Sequence, residues 1–139
     1  MKQLQHRLTI NGHGRGMINV TRDVQQWLAT SDIETGLLNL FVPHTSCSLM
    51  IQENADPDVL HDMETFMSRL VPDGDPMFLH RAEGPDDMAA HVRMALTQVS
   101  LNIPLTNSHL TLGTWQGIYL YEHRHHPMTR YIQLHLIGI

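Results

Sequence analysis

The chain has 139 residues, 42% of them hydrophobic and 17% charged, with a net charge of -5. That length supports one hydrophobic core, hence one domain over residues 1–139, in a soluble globular protein. The acidic balance argues against nucleic acid as a partner, no apolar run reaches the roughly 18 residues of a membrane span, and the N-terminus has no signal-peptide apolar region; a cytoplasmic protein is expected.

Taken in chain order, Gln5 to Ile10 and Gly16 to Val20 read as short strands with a turn between them, and Thr21 is a good N-cap for a short helix carrying Val24, Trp27 and Leu28. Leu37 to Val42 is a continuous apolar run of strand length. From His44 the pattern alternates, which as a strand places His44, Ser46, Ser48 and Met50 on one face and Cys47, Leu49 and Ile51 on the other. Asp56-Pro57 opens a helix with Val59, Met63, Phe66, Met67 and Leu70 at helical spacing, and Pro72 marks its exit. Gly84-Pro85-Asp86-Asp87 opens another, with Met88, Val92, Ala95 and Val99 as its apolar positions. Leu101 to Leu105, His109 to Leu112, Gly117 to Glu122 and Thr129 to Ile137 read as strands. The expectation is an α+β fold with a mostly antiparallel, sandwich- or barrel-like sheet core and two to three helices.

Histidine is the unusual residue, 11 against 9 Lys plus Arg. Imidazole is the commonest protein ligand for transition metals and the usual acid–base group near neutral pH. A single cysteine, Cys47, excludes an internal disulfide and a multi-thiolate zinc site; its place among Leu49 and Ile51 suggests a small buried hydrophobe. The only lysine, Lys2, argues against Schiff-base chemistry.

Three strings concentrate polar residues beside Gly and Pro: Pro43 to Pro57, His80 to His91, and Leu112 to Tyr121. In the first, His44, Ser46 and Ser48 either present an imidazole and two hydroxyls to a phosphate or simply fill a half-exposed strand face. Asn54 either fixes a turn or binds ligand, and Asp56 is explained by capping. In the second, Asp87 and His91 are four apart and share a helix face, as a metal ligand with its carboxylate orienter or as a surface ion pair. Glu122 stands alone as the one acidic residue in the last third, a candidate general base or metal ligand if it does not merely reach water. His123, His125 and His126 lie in a Pro-terminated turn, where solvation would explain them. His44 lies in the first of these strings and His80 and His91 bracket the second, so the expected metal centre joins these three, holding a divalent ion, Zn or Mg, with Asp87 orienting one ring.

HTSCSL, EN-x-DP, HDME, H-x-x-EGPDDM-x-x-H and LGTWQGIYL-x-E, with Arg15-Gly16 and Thr21 before them, resemble the YjbQ family in that order and over nearly the whole chain. The resemblance implies a compact homotrimer with polar motif residues in clefts near subunit boundaries. It also implies a secondary thiamine-phosphate synthase activity, joining a pyrimidine-methyl diphosphate to a thiazole phosphate with release of diphosphate. Carried over by motif, the residues concerned are His44, Ser46, Ser48, Asn54, His80, His91, Trp115, Gln116 and Glu122. Trp115 would then stack on a heterocycle, Ser46, Ser48 and Gln116 would bind a small phosphorylated molecule, and Glu122 with Asn54 would serve the chemistry. A metal-dependent hydrolase of a phosphorylated molecule and a non-catalytic ligand-binding trimer are the competing classes.

Overall fold

The computed structural model describes residues 1–139. Its elements run β1 (Lys2–Asn11), β2 (Gly16–Asn19), α1 (Thr21–Leu28), β3 (Gly36–Phe41), β4 (Cys47–Glu53), α2 (Pro57–Leu70), α3 (Asp87–Ala95), β5 (Ser100–Thr106), β6 (His109–Leu110), β7 (Gln116–Glu122) and β8 (Thr129–Gly138). This is an α+β fold with two antiparallel sheets, ordered β1-β8-β3-β5-β6 and β2-β7-β4. No helix is long and apolar enough to cross a membrane.

One core joins the two sheets. Leu38, Leu40, Ile103, Ile132, Leu134 and Leu136 of the larger sheet pack with Cys47, Leu49, Ile118 and Leu120 of the smaller one, and α1 adds Val24 and Leu28. The smaller sheet is the middle layer. Its far face, carrying Ser48 and Tyr121, is bonded to residues of α2 and α3 and of the turn after α3. A strand covered on both faces cannot show alternation, and β7 is buried without a break from Gly117 to Glu122. β3 does the reverse: its continuous apolar sequence alternates, with Leu38 and Leu40 in the core and Leu37 and Phe41 outside.

Several local expectations are corrected by tertiary packing. β1 and β2 do not pair as a hairpin; β1 runs along β8 and β2 along β7, in different sheets. Thr21 is the first helical residue and not the cap of α1: its N–H donates to Asn19 Oδ1, while its Oγ1 accepts from the Ile118 N–H. Asp56 does cap α2, its carboxylate accepting the Asp58 N–H at 2.9 Å with Pro57 at the first position. α3 turns in Asp87, Ala89, Ala90 and Arg93 in place of the apolar positions that the sequence marks, because Arg93 ties it to Glu64 of α2 and Tyr121 of β7. Ile132, Leu134 and Leu136 of β8 are buried in the core of a single copy.

Candidate metal centre

Asp87 opens α3 and His91 follows one turn later, so both project from the same side of the helix. The loop before α3 returns His80 to the same place. His80 Nε2 lies 2.6 Å and His91 Nε2 3.1 Å from Asp87 Oδ2. One ligand atom from each of the three residues falls within 4.8 Å of the others. Asp87 is buried, whereas its two partners are partly exposed.

Hydrogen bonds fix the orientation of the two rings. His91 Nδ1 is 2.7 Å from the Thr45 carbonyl, which can only accept, so Nδ1 carries a proton. In the neutral ring Nε2 is then a lone pair facing a carboxylate oxygen. That arrangement requires a positive centre between them, either a second proton or a metal ion. A backbone carbonyl on the far ring nitrogen is the usual outer partner of a metal-bound histidine. His80 is held above the ordinary imidazole range, first by its hydrogen bond to Asp87 and also by the charges of Asp87 and Glu83. Burial pushes the Asp87 carboxyl upward, but the His80 hydrogen bond and the nearby Arg124 charge outweigh it and keep the group below its usual value.

Arg124 completes the arrangement. It donates to Asp87 Oδ1 at 2.6 Å, to Asp86 Oδ2 at 3.2 Å and to the Glu83 carbonyl at 2.9 Å. Oδ1 is thereby engaged, which turns Oδ2 toward the imidazoles. The sequence pointed to Asp87 as an orienter, but nothing in it joins Arg124 to a motif 37 residues earlier. Beside His80 a cleft of about 450 Å³ is lined by Gly74, Phe78, Arg81 and Pro85 among others. Arg81 is fixed there by donating to the Phe78 and Pro76 carbonyls at 2.7 and 2.9 Å.

Other expected site residues lie elsewhere. His44 is outside the converging group: its Nε2 accepts the Tyr131 N–H at 2.9 Å and its ring stacks on Tyr131. Burial, followed by the charge of Arg130, holds it below the ordinary imidazole range. Ser46 accepts from Arg130 at 2.7 Å, and Ser48 is fully buried between His123 and Thr97, so neither hydroxyl is free for a phosphate. Strand β4 begins only at Cys47, and the face expected to present His44, Ser46 and Ser48 is not formed. Glu122 neither reaches water nor stands poised as a base, because Arg130 and two backbone N–H groups use both its oxygens.

Asn54 clamps the Thr114 and Gln116 carbonyls, and the Gln116 side chain accepts the Gly113 N–H. With exposed Trp115 they occupy the Gln116 end of β7, whereas Arg124 follows its Glu122 end. Seven strand residues separate these ends by about 20 Å, beyond the reach of a side chain within one copy. His123, read as part of a solvated turn, is instead fully buried, and burial drives its pKa down to about 3. Cys47 is buried as expected, its thiol pushed up to about 12 by desolvation.

Comparison with known proteins shows the family of the chain: residues 6–139 match the UPF0047 protein YjbQ-like family. The chain belongs to that YjbQ family. It is 47% identical over 137 residues to a UPF0047 protein of Synechocystis, covering 99% of this chain and 93% of the relative. It is 42% identical over 135 residues to the UPF0047 protein YjbQ of Escherichia coli O157:H7, covering 96% and 97%. Among solved structures, the hypothetical protein APE1520 of Aeropyrum pernix superposes with a TM-score of 0.89 at 30% identity, over 98% of this chain and 99% of that one. The conserved hypothetical protein TT1486 of Thermus thermophilus does so with 0.84 at 36%, over 95% and 99%. The YjbQ family fold thus carries the His80–Asp87–His91 group in this chain.

Proposed function

We propose that the chain binds a divalent cation through His80, Asp87 and His91 and uses it to hold the phosphate of a small phosphorylated molecule in the adjoining cleft. The carrying observation is the convergence of two imidazoles and one buried carboxylate within 4.8 Å, with His91 already protonated on its far nitrogen. Two nitrogen donors favour zinc or a similar transition ion over magnesium, which prefers oxygen. Three protein ligands leave positions open for phosphate oxygens or water. Arg81 on the cleft wall adds a second positive group for the same anion.

The chemistry this supports best is departure of diphosphate from an activated methyl carbon, as in the synthase reaction the family resemblance implies. The carbon–oxygen bond breaks with its electron pair leaving on diphosphate, and the thiazole nitrogen forms the new bond to that carbon. When bound, the ion supplies neutralising charge for the leaving diphosphate. Arg81 stabilises the same departing charge, and Asp87 with Arg124 keeps the two imidazoles in register. No base is needed at the carbon. That distinguishes this reading from a hydrolase, which must activate water and for which buried Glu122 is unsuited. A cytoplasmic homotrimer belongs to the same proposal. The exposed Phe66, Leu70, Met77 and Leu79 offer apolar surface to a second copy, and association is the route by which Trp115 and Gln116 of one copy would reach the cleft of another.

The test is equilibrium dialysis against zinc and magnesium, followed by product analysis with the two thiamine precursors and a panel of phosphate esters. The expected result is one zinc per chain, lost in His80→Ala and His91→Ala, with metal-dependent release of diphosphate. Hydrolysis of esters without precursor coupling would favour the hydrolase, and binding without turnover the ligand-binding trimer. Zinc content unchanged in both folded variants would overturn the metal centre itself.

A further inference from the structure

β1 is the end strand of the larger sheet: β8 pairs with one side of it and no strand lies on the other. At ten residues it is the longest open edge of the molecule. Which backbone groups face that edge follows from the ladder. The Gly12 N–H donates to the Met128 carbonyl at 3.1 Å, one step beyond the Asn11–Thr129 pair, and bonded pairs alternate with unbonded ones in an antiparallel ladder. Leu4, His6, Leu8 and Ile10 therefore direct their N–H and C=O groups to β8. Those of Gln3, Gln5, Arg7 and Thr9 point away from it, and no group of the chain bonds to them. The Tyr131 N–H has the matching parity on β8, turning from β1 toward His44.

Side chains hold this edge in place. On the outer face Gln3 and Gln5 bond the two nitrogens of His135, at 3.1 and 3.0 Å, and the Arg7 guanidinium lies 4.4 Å over the Tyr131 ring. On the inner face His6 stacks on Trp27, and Leu4, two residues before it, is left 38% exposed. A long edge with unpaired backbone groups and exposed apolar surface is a template for strand addition.

The charge pattern selects the occupant. None of the 14 acidic residues lies in the five strands of this sheet, although the chain carries a net charge of -5. β1 carries Lys2 and Arg7 instead. Lys2 pairs with Asp32, whereas Arg7 is exposed and has no carboxylate partner. A second copy fits this edge poorly. Its β6 offers two residues and its β2 four, its β4 edge is partly taken where the Leu49 N–H donates to Gln98, and β1 against β1 sets a basic strand on a basic strand.

We propose that the open edge of β1 takes up an extended acidic peptide of a partner protein as an added strand. The peptide bonds to the outward N–H and C=O groups of Gln3, Gln5, Arg7 and Thr9. Its acidic side chains lie beside Arg7 on the outer face, and its alternate, apolar ones cover Leu4 on the inner face. This edge is independent of the cation group on α3.

The test is amide hydrogen exchange followed by NMR on the native assembly, with two blocked peptides as probes, one alternating glutamate with valine and one alternating lysine with valine. The glutamate peptide should slow exchange at Gln3, Gln5, Arg7 and Thr9 by about tenfold or more, and leave Leu4, His6 and Leu8 unchanged. The lysine peptide should bind roughly five- to tenfold more weakly, an exposed attraction having become a repulsion. Arg7→Glu should reverse that order. Gln5→Pro removes an outward donor without breaking a bond to β8, so it should abolish binding while β8 keeps its protection. If Gln5→Pro disturbs β8, the Arg7→Glu reversal decides alone. Equal affinity for the two peptides, or no slowing by the glutamate peptide, overturns the inference. So does protection of Gln3, Gln5, Arg7 and Thr9 before any peptide is added, which would assign the edge to a second copy of the chain.

Discussion

Arg130 holds both carboxylate oxygens of Glu122, at 2.7 Å each, with neither side chain open to water. The pair joins β7 of the smaller sheet to β8 of the larger at the edge of the shared core. Arg130 reaches on to Ser46 Oγ, and the Glu122 oxygens also take the His123 and Arg124 N–H groups. Breaking such a pair from one side leaves an uncompensated buried charge. Glu122→Gln should therefore lower stability by about 3–5 kcal/mol, and Glu122→Leu with Arg130→Met should recover most of it. Urea denaturation measures both. A Glu122→Gln protein of full stability without turnover would instead place Glu122 in the chemistry.

Arg124 should act on the cation site by positioning. Removing an outer partner of a metal ligand typically costs 10- to 100-fold in metal affinity. Deleting a nearby positive charge, taken alone, would strengthen cation binding. Zinc titration of Arg124→Gln distinguishes these effects, and about tenfold weaker binding is expected. Tighter binding would show that Arg124 repels the ion more than it orients Asp87.

The Cys47 thiol, pushed up to about 12, should be inert to iodoacetamide at pH 8 in the native protein and react once unfolded. Cys47→Ala should cost roughly 1 kcal/mol and leave turnover within a few-fold. Rapid native alkylation, or complete loss of turnover in a folded variant, would return Cys47 to consideration as a nucleophile.

His123 predicts an acid dependence of stability. Its folded pKa of about 3 lies below its ordinary value of 6.5, so between these values the unfolded chain takes up a proton that the native state refuses. Its contribution is complete above pH 6.5 and is lost as pH falls toward 3, with a limiting slope of about 1.4 kcal/mol per pH unit. His80 titrates in the opposite sense. Its folded pKa is raised, so its contribution is present below 6.5 and declines above that value, outside the His123 window. Denaturation from pH 7 to 5 should show the loss in the wild type and a reduced slope in His123→Gln; equal slopes would locate the acid sensitivity elsewhere.

Light scattering should give three times the 15.9 kDa chain mass at micromolar concentration. Charges introduced on the exposed apolar surface, as in Leu70→Glu with Met77→Glu, should shift the protein toward monomer. A wild-type monomer would contradict the trimer and leave Trp115 without a route to the cleft.

Much of the local structure was legible in the sequence because it depends on neighbours. Asp56-Pro57 opens α2 through its own cap and first-position proline, Cys47 follows the apolar side of β4, and four-residue spacing brings Asp87 to His91. The ordered motifs also identified the family. Tertiary structure decided which polar groups meet. His44, Ser46, Ser48 and Glu122 looked available because a strand pattern does not reveal that a sheet is covered on both faces, or that Arg130, Tyr131 and His123 will occupy their polar atoms. Gln116, with Trp115 before it and Asn54 bonded to it, lies at the opposite end of β7 from Glu122, a separation set by strand length. Local periodicity determines elements and faces. The partners of a buried charge are chosen only when distant strands and helices close around it.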